Sequence, residues 1–372
     1  MIKPLTLDRL TLVDVRNLER VDIEPGPRIN VIAGNNGQGK TSVLEGIYAL
    51  ATSKSFRSAK PGELVRHTTL TARLRGRFTE DWPSGKLERS QGVDVSARGK
   101  RDLFLDAEAP ASLIHYATRS PVVVFEPKQL SLTTGAPVER RTLLDRVTLF
   151  THPHVAAHRA RYAAALKERF VLLQDRHHDR TGELQAYEAI LAEHGANLTA
   201  IRAEAVRTLL VPLEEAFRRI AAPTLKLEVC YVPGGSADPE EVRSRLALTR
   251  RQDQQRKRTS YGPHRDDLAL LLDGHDVRLV ASQGQHRALT LALKSAELTT
   301  IAQARGVQPI LLLDDVSSEL DPQRTSALFD YLGTTESQIF LTTTRPELIF
   351  ASLKTSERAN FIIENGSIRR TA

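Results

Sequence analysis

Between Leu5 and Val31 apolar and polar residues alternate in short pieces. Leu10, Leu12 and Val15 form one set and Val21 with Ile23 a second, and Pro25-Gly26-Pro27 then interrupts the pattern. Period two predicts strands, and the proline–glycine cluster predicts a break. Ile29, Val31 and Ile32 read as a short buried strand, after which Val43, Leu44, Ile47 and Leu50 fall at helical spacing. Residues 51–60 (ATSKSFRSAK) are polar and basic, either a solvated connector or a phosphate or DNA contact. Alternation returns from Leu70 to Leu105 and predicts a β-meander with Arg73, Arg75 and Arg77 on one strand face. Pro121–Phe125 is a continuous apolar run, as in a strand covered on both faces.

Over residues 138–222 glycine nearly vanishes and the period changes. Tyr162, Leu166, Phe170 and Leu173 mark one helix face; Leu184, Tyr187, Leu191, Leu198, Ala205, Leu209, Leu213 and Phe217 mark another. With the polar break at 177–182 this predicts two long helices in a short antiparallel arm. The adjacent His177 and His178 have no sulfur partner nearby and read as a solvated turn. Residues 249–258 carry Arg250, Arg251, Arg256, Lys257 and Arg258, a mobile linker or a polyanion contact. A strand at Leu268–Leu272, a helix through Leu289, Leu293 and Leu298, a buried strand from Pro309 to Leu313 and another at Ile339–Thr342 complete the pattern.

Composition adds little to the fold and something to the partner. Of the 372 residues 41% are hydrophobic and 26% charged, ordinary for a globular chain long enough for two or more domains. A net charge of +7 favours a polyanion such as nucleic acid. Cys230 is the single cysteine, which excludes an internal disulfide and a cysteine-based metal cluster. With no leader-like start and no apolar run near 18 residues, the expectation is a cytoplasmic protein with no membrane partner.

The chemistry is concentrated in Gly34-Asn35-Asn36-Gly37-Gln38-Gly39-Lys40-Thr41, which fits the phosphate-loop pattern GxxxxGK[ST] between a strand and a helix. Glycines let backbone N–H groups close around phosphate oxygens, and the helix directs its positive dipole end at them. Lys40 is expected at the β/γ-phosphates and Thr41 at Mg²⁺. The apolar run ending in Asp314-Asp315 supplies the matching carboxylates: Asp314 for the metal, Asp315 to orient or deprotonate the attacking water.

Ser282-Gln283-Gly284-Gln285 opens a helix, where Ser282 is a plausible N-cap and the turn an anion site. The stretch resembles the signature motif of ABC-type ATPases, and Ser318-Glu319-Leu320-Asp321 resembles their D-loop. In that superfamily the signature of one subunit covers the nucleotide held by the other. Many members carry a histidine at the end of the strand here read as Ile339–Thr342; this chain has Thr343-Thr344, either of which is a substitute γ-phosphate sensor. Lys40 and Ser282 lie too far apart for a compact transporter cassette, and the helical insertion is too short for a long coiled coil.

Val15-Arg16-Asn17, Lys54-Ser55-Phe56-Arg57 and Gly262-Pro263-His264-Arg265-Asp266-Asp267, added to the loop, signature and carboxylates, resemble the RecF family of bacterial recombination mediators over essentially the whole chain. The resemblance implies an α/β, ABC-type ATPase head of the SMC/Rad50-like class. Mixed sheets surround the phosphate-loop helix in lobe I (residues 1–125 and 295–372), and 126–294 form a largely helical lobe II. It implies ATP and Mg²⁺ as cofactors and an ATP-dependent homodimer on duplex DNA and single-strand/double-strand junctions. It implies RecR as partner, and through it RecO and RecA, with slow DNA-stimulated hydrolysis and support of the SOS response. Residues 34–41 and 282–285 are then the nucleotide contacts, Lys40, Asp315 and Gln129 the catalytic candidates (Gln129 as a Q-loop contact), and Thr41 and Asp314 the metal ligands. A metabolic P-loop kinase and a transport ATPase subunit are disfavoured by the signature and the spacing, and a GTPase by the lack of NKxD.

Overall fold

The computed structural model describes residues 2–82, 85–175, 180–220, 225–315, 335–347, 349 and 357–371. The first alternating set lies in the strand Lys3–Val15 and the second in Leu18–Ile23. Leu5 and Leu7 are buried, and then Leu10 and Leu12. The parity switches because the register against the neighbouring strand Thr71–Trp82 shifts between Leu7 and Arg9, a bulge that turns the following side chains to the opposite face.

Lys3–Val15, Thr71–Trp82, Gly85–Ser96 and Arg101–Leu105 form the expected meander, all antiparallel. Leu18–Ile23 also pairs with the first strand, and Val307–Gln308 lies parallel at its edge. Ala72, Leu74, Gly76 and Phe78 point inward while Arg73, Arg75 and Arg77 are exposed on the other face. A second sheet runs in the order Ser367–Thr371, Arg358–Glu364, Ile29–Ala33, Ile339–Thr343, Ile310–Leu313, Val122–Phe125. Its five inner neighbours pair in parallel, and the hairpin strand Ser367–Thr371 closes one edge antiparallel. Every residue of Ile29–Ala33, Val122–Phe125, Ile310–Leu313 and Ile339–Thr343 is buried, hence their unbroken apolar runs.

Helix Lys40–Thr52 is the shared core of these sheets. Twelve of its residues are buried, all but Thr41. Val43, Leu44, Ile47 and Leu50 join Leu12, Leu74, Phe78, Leu312 and Phe340 in one cluster. Two glycines set the spacing between helix and meander. A Cβ at Gly46 would sit 2.5 Å from Leu12 Cδ1, and one at Gly76 2.5 Å from Leu50 Cδ2.

The chain divides into two units, Met1–Gln129 with Ala216–Pro223 and Gln283–Ala372, and Leu130–Glu215 with Thr224–Ser282. The return to the first unit falls at Gln283 rather than after residue 294, because Gln283–Arg305 is a single helix whose buried face packs on strands of that unit. In the second unit the arm is three helices, Pro137–Thr151, Val155–Leu172 and Thr181–Ile220, not two; Pro153 ends the first. The buried face of Val155–Leu172 is Val155, Tyr162, Ala165, Arg169 and Leu172, and Phe170 is 46% exposed. The basic run 249–258 is no linker, since Pro239–Arg256 is a helix. A small antiparallel sheet, Leu227–Val232, Asp267–Leu272 and His275–Asp276, completes the unit. Among the described residues no helix is long and apolar enough to cross a membrane.

Candidate functional site

The phosphate-loop residues leave the buried strand Ile29–Ala33 and turn into helix Lys40–Thr52 through backbone that only glycine adopts freely. Gly37 has φ +81° and Gly39, the N-cap, φ +112°. Gly34 has no room for a side chain, since a Cβ there would lie 2.5 Å from the carbonyl oxygen of Ile363. No side chain caps the helix and its first turn holds no acid, so its N-terminal N–H groups and positive dipole end face the loop. Lys40 Nζ donates to the carbonyls of Gly34 at 2.7 Å and Asn35 at 2.9 Å. Burial pushes its pKa down, opposed by the charges of Asp315 and Asp314. Asn17 braces the loop from the adjoining strand end: its amide donates to the Gly37 carbonyl at 3.2 Å and its oxygen accepts from Ser42 Oγ at 2.8 Å.

The carboxylates arrive on the strand Ile310–Leu313, one strand removed from the loop strand. Thr41 Oγ1 lies 3.0 Å from both carboxylate oxygens of Asp314, joining the two sequence motifs directly. Thr342 completes the arrangement. Its hydroxyl donates to Asp314 Oδ1 at 2.7 Å and accepts from the Asp315 N–H at 2.9 Å. Asp315 sits at φ +50°, a left-handed conformation that turns it out of the strand direction. Burial, with a smaller push from Asp315, raises the pKa of Asp314 against the hydrogen bonds from Thr342 and Thr41. Glu126, at the end of Val122–Phe125, is pushed up to about 7 by burial, with Asp314 adding to the rise and Lys128 opposing it. Sequence reasoning passed over Thr342 and Glu126, because a threonine in a strand and a glutamate after one carry no local signal.

Lys40, Thr41, Asp314 and Asp315 line a cavity of about 470 Å³. Arg16 and Arg57 are on its rim, so the 51–60 loop is not a bare connector. Both arginines are held by Glu45, fully buried in the loop helix: Arg16 Nη2 at 2.7 Å, Arg57 Nη1 at 3.3 Å, with Ser55 Oγ donating at 2.5 Å. Asn35 and Gln38 line a different cavity with Glu364 and Asn365, where the Gln38 side chain accepts from the Asn365 N–H. Gln129 lies in a short turn after Val122–Phe125 and does not line the loop cavity; its buried Oε1 has no partner among the described residues. Ser282 and Gln283 are exposed where helix Gln283–Arg305 begins, with Gly284 and Gln285 half-buried. The Thr343 hydroxyl accepts from the Arg345 N–H, and Thr344 is exposed. Ser318–Asp321 and His177-His178 lie outside the described residues.

The remaining motif, Gly262–Asp267, organises the second unit. Asp266, fully buried, accepts from Arg202 Nη1 at 2.7 Å, Tyr231 Oη at 2.6 Å and the Gly234 N–H at 2.8 Å. Arg140 grips Asp267 with two nitrogens, at 2.7 and 3.1 Å. Arg250 of the basic run is bound to Glu188 at 2.5 Å and is structural. Arg75, on the basic strand face, is paired with Asp94 at 2.6 Å.

A sequence model described as the RecF/RecN/SMC N terminal domain matches residues 6–360. The DNA replication and repair protein RecF of Anaeromyxobacter sp. (strain Fw109-5) is 41% identical over 350 residues, 91% of this chain and 92% of that one. The RecF of Myxococcus xanthus (strain DK1622) is 38% identical over 347 residues, 90% of each chain. Among solved structures, the recombination mediator protein RecF-ATP in the RecFOR pathway superposes with a TM-score of 0.88 at 26% identity, covering 100% of this chain and 99% of that one. An Smc head domain from Pyrococcus furiosus shares the fold alone, with a TM-score of 0.57 at 15% identity and 99% of this chain covered. The ABC-type head fold, the joined loop and carboxylate motifs and these relatives agree: the chain belongs to the RecF family.

Proposed function

We propose that this protein is an ATP-dependent DNA-binding protein of recombinational repair. Its ATP-bound dimer engages duplex DNA at gap junctions in the cytoplasm, associated with the nucleoid. With RecO and RecR it promotes RecA loading, it supports the SOS response, and hydrolysis is slow, DNA-stimulated and used as a switch. The observation that carries the reading is the 3.0 Å contact between Thr41 and Asp314, which brings the phosphate loop and the acidic strand end into one site. Gly34 to Thr41 receive the triphosphate, and Lys40 exchanges its loop carbonyls for phosphate oxygens and stabilises charge on the transferring group. The all-oxygen donor set of Thr41 and Asp314 fits Mg²⁺, which when bound neutralises phosphate charge. Asp315 orients the attacking water, with Gln129 a further candidate for that water. Ser282 to Gln285 act across the dimer on the partner's nucleotide.

The discriminating experiment is molar mass by light scattering without nucleotide, with ATP–Mg²⁺ and with ADP–Mg²⁺. A shift from monomer to dimer with ATP alone, lost in Ser282→Arg, is expected. Asp315→Asn should still dimerise but not turn over, and Lys40→Met should do neither. A mass unchanged by saturating ATP, with binding confirmed separately, would return the site to a single-head or kinase reading.

A further inference from the structure

The second unit holds a cavity of about 620 Å³ that the nucleotide chemistry does not use. Arg141, Lys167, Arg258 and Arg265 line it together with Phe170 and Leu166, and no carboxylate is on its walls. The inward-facing arginines of the unit are neutralised instead. Arg140, Arg169, Arg202 and Arg250 each meet one or two carboxylates within 3.0 Å. Among the described residues, Arg141, Lys167, Arg258 and Arg265 form no ion pair. Arg141 alone is tethered, its Nη1 donating to the Asp266 carbonyl at 2.7 Å.

The wall behind them is fixed. His264 spans from the Tyr162 hydroxyl, 2.7 Å from Nδ1, to the Thr259 carbonyl, 3.0 Å from Nε2, so the turn that carries Arg265 is tied to two other elements. Phe170 occupies an exposed position of helix Val155–Leu172, 46% accessible and followed by Val171 at 55%. Unbalanced positive charge in a concave site selects an anion of several charges. An exposed ring beside those charges selects a flat partner. Duplex DNA offers phosphates but keeps its bases stacked inside, whereas a single strand offers both phosphates and unpaired bases. A peptide of acidic side chains would satisfy the charge and leave the ring unused.

We propose that this cavity binds single-stranded nucleic acid, with a base stacked on Phe170 and the flanking phosphates on Lys167, Arg258 and Arg265. Arg141 supplies charge from the tethered side. The proposal rests on the DNA-binding reading above and gives the unpaired arm of a junction a place of its own in the second unit.

The test is fluorescence anisotropy of the full chain with a labelled oligothymidylate of about 15 nucleotides, at several salt concentrations, beside ATP-dependent binding of a blunt duplex. Phe170→Ala should weaken oligothymidylate binding by about tenfold and Phe170→Trp should restore it, which separates stacking from misfolding. Lys167→Ala and Arg265→Ala should each lower the slope of log affinity against log salt by about 0.7. Duplex binding should be unchanged in Phe170→Ala. Oligothymidylate binding that is absent in the wild type, or unchanged from wild type in both Phe170→Ala and Arg265→Ala, overturns the site; the DNA-binding reading survives that result if the duplex still binds with ATP. An oligoglutamate peptide that displaces the oligonucleotide, and itself needs Phe170, would overturn the nucleic-acid occupant in favour of an acidic protein.

Discussion

Thr342 fixes the relation between the two acidic residues of the candidate site, donating to one and accepting from the backbone of the other. Thr342→Val keeps the shape and the strand preference but leaves the Asp315 N–H without its acceptor, a cost of about 1–3 kcal/mol. ATP binding should persist while ATP hydrolysis falls by about tenfold or more. Thr342→Ser should retain activity, and steady-state ATPase assays of the pair decide it; wild-type turnover in Thr342→Val would deny the hydroxyl this role. His264 is an acid-sensitive residue of the second unit. The Thr259 carbonyl can only accept, so Nε2 carries the proton and Nδ1 accepts from Tyr162. Burial lowers the pKa of His264 against the opposing pull of that carbonyl. The folded state therefore keeps the ring neutral where the unfolded chain takes up a proton. Its stability is full above about pH 6.5 and is lost as pH falls below it. Melting temperature should drop between neutral pH and about pH 5, and drop less in His264→Gln. Residues such as Gly34, Gly39 and Lys40 were legible because loop chemistry admits few alternatives. Thr342 was not, because its role exists only once residues far apart in sequence meet.

At the scale of elements, helix Val155–Leu172 shows where periodicity misleads. The polar Arg169 takes the buried place that an apolar reading assigns to Phe170. Its guanidinium reaches Glu188 at 3.0 Å and Asp253 at 2.8 Å, partners 19 and 84 residues away and invisible to any local window. Arg169→Met would leave the buried Asp253 without its counter-charge and Glu188 with Arg250 alone, and should cost about 3–5 kcal/mol. Phe170→Ala at the next position should cost less than about 1 kcal/mol. Urea unfolding followed by far-ultraviolet dichroism separates the two; equal losses would mean the buried pairs do not hold the helix. In the strand Lys3–Val15 the bulge after Leu7 reverses the parity of the buried positions, which no local period anticipates.

For the molecule as a whole, the α/β class was legible from the alternation of strand and helix periods, and the inserted helical unit from the change of period near residue 138. The order of the strands was not, since parallel pairing is specified by packing rather than by turns. That order has a consequence for synthesis. The loop strand Ile29–Ala33 lies between Ile339–Thr343 and Arg358–Glu364, so both of its neighbours leave the ribosome long after it. At about 5–20 residues per second the strand and the apolar helix behind it wait for tens of seconds without their sheet. The meander, complete by Leu105, can form early and cover one side of that helix. A nascent chain thus cannot complete this sheet around the phosphate loop until residues 339–364 have emerged, and the early meander covers the helix in the meantime.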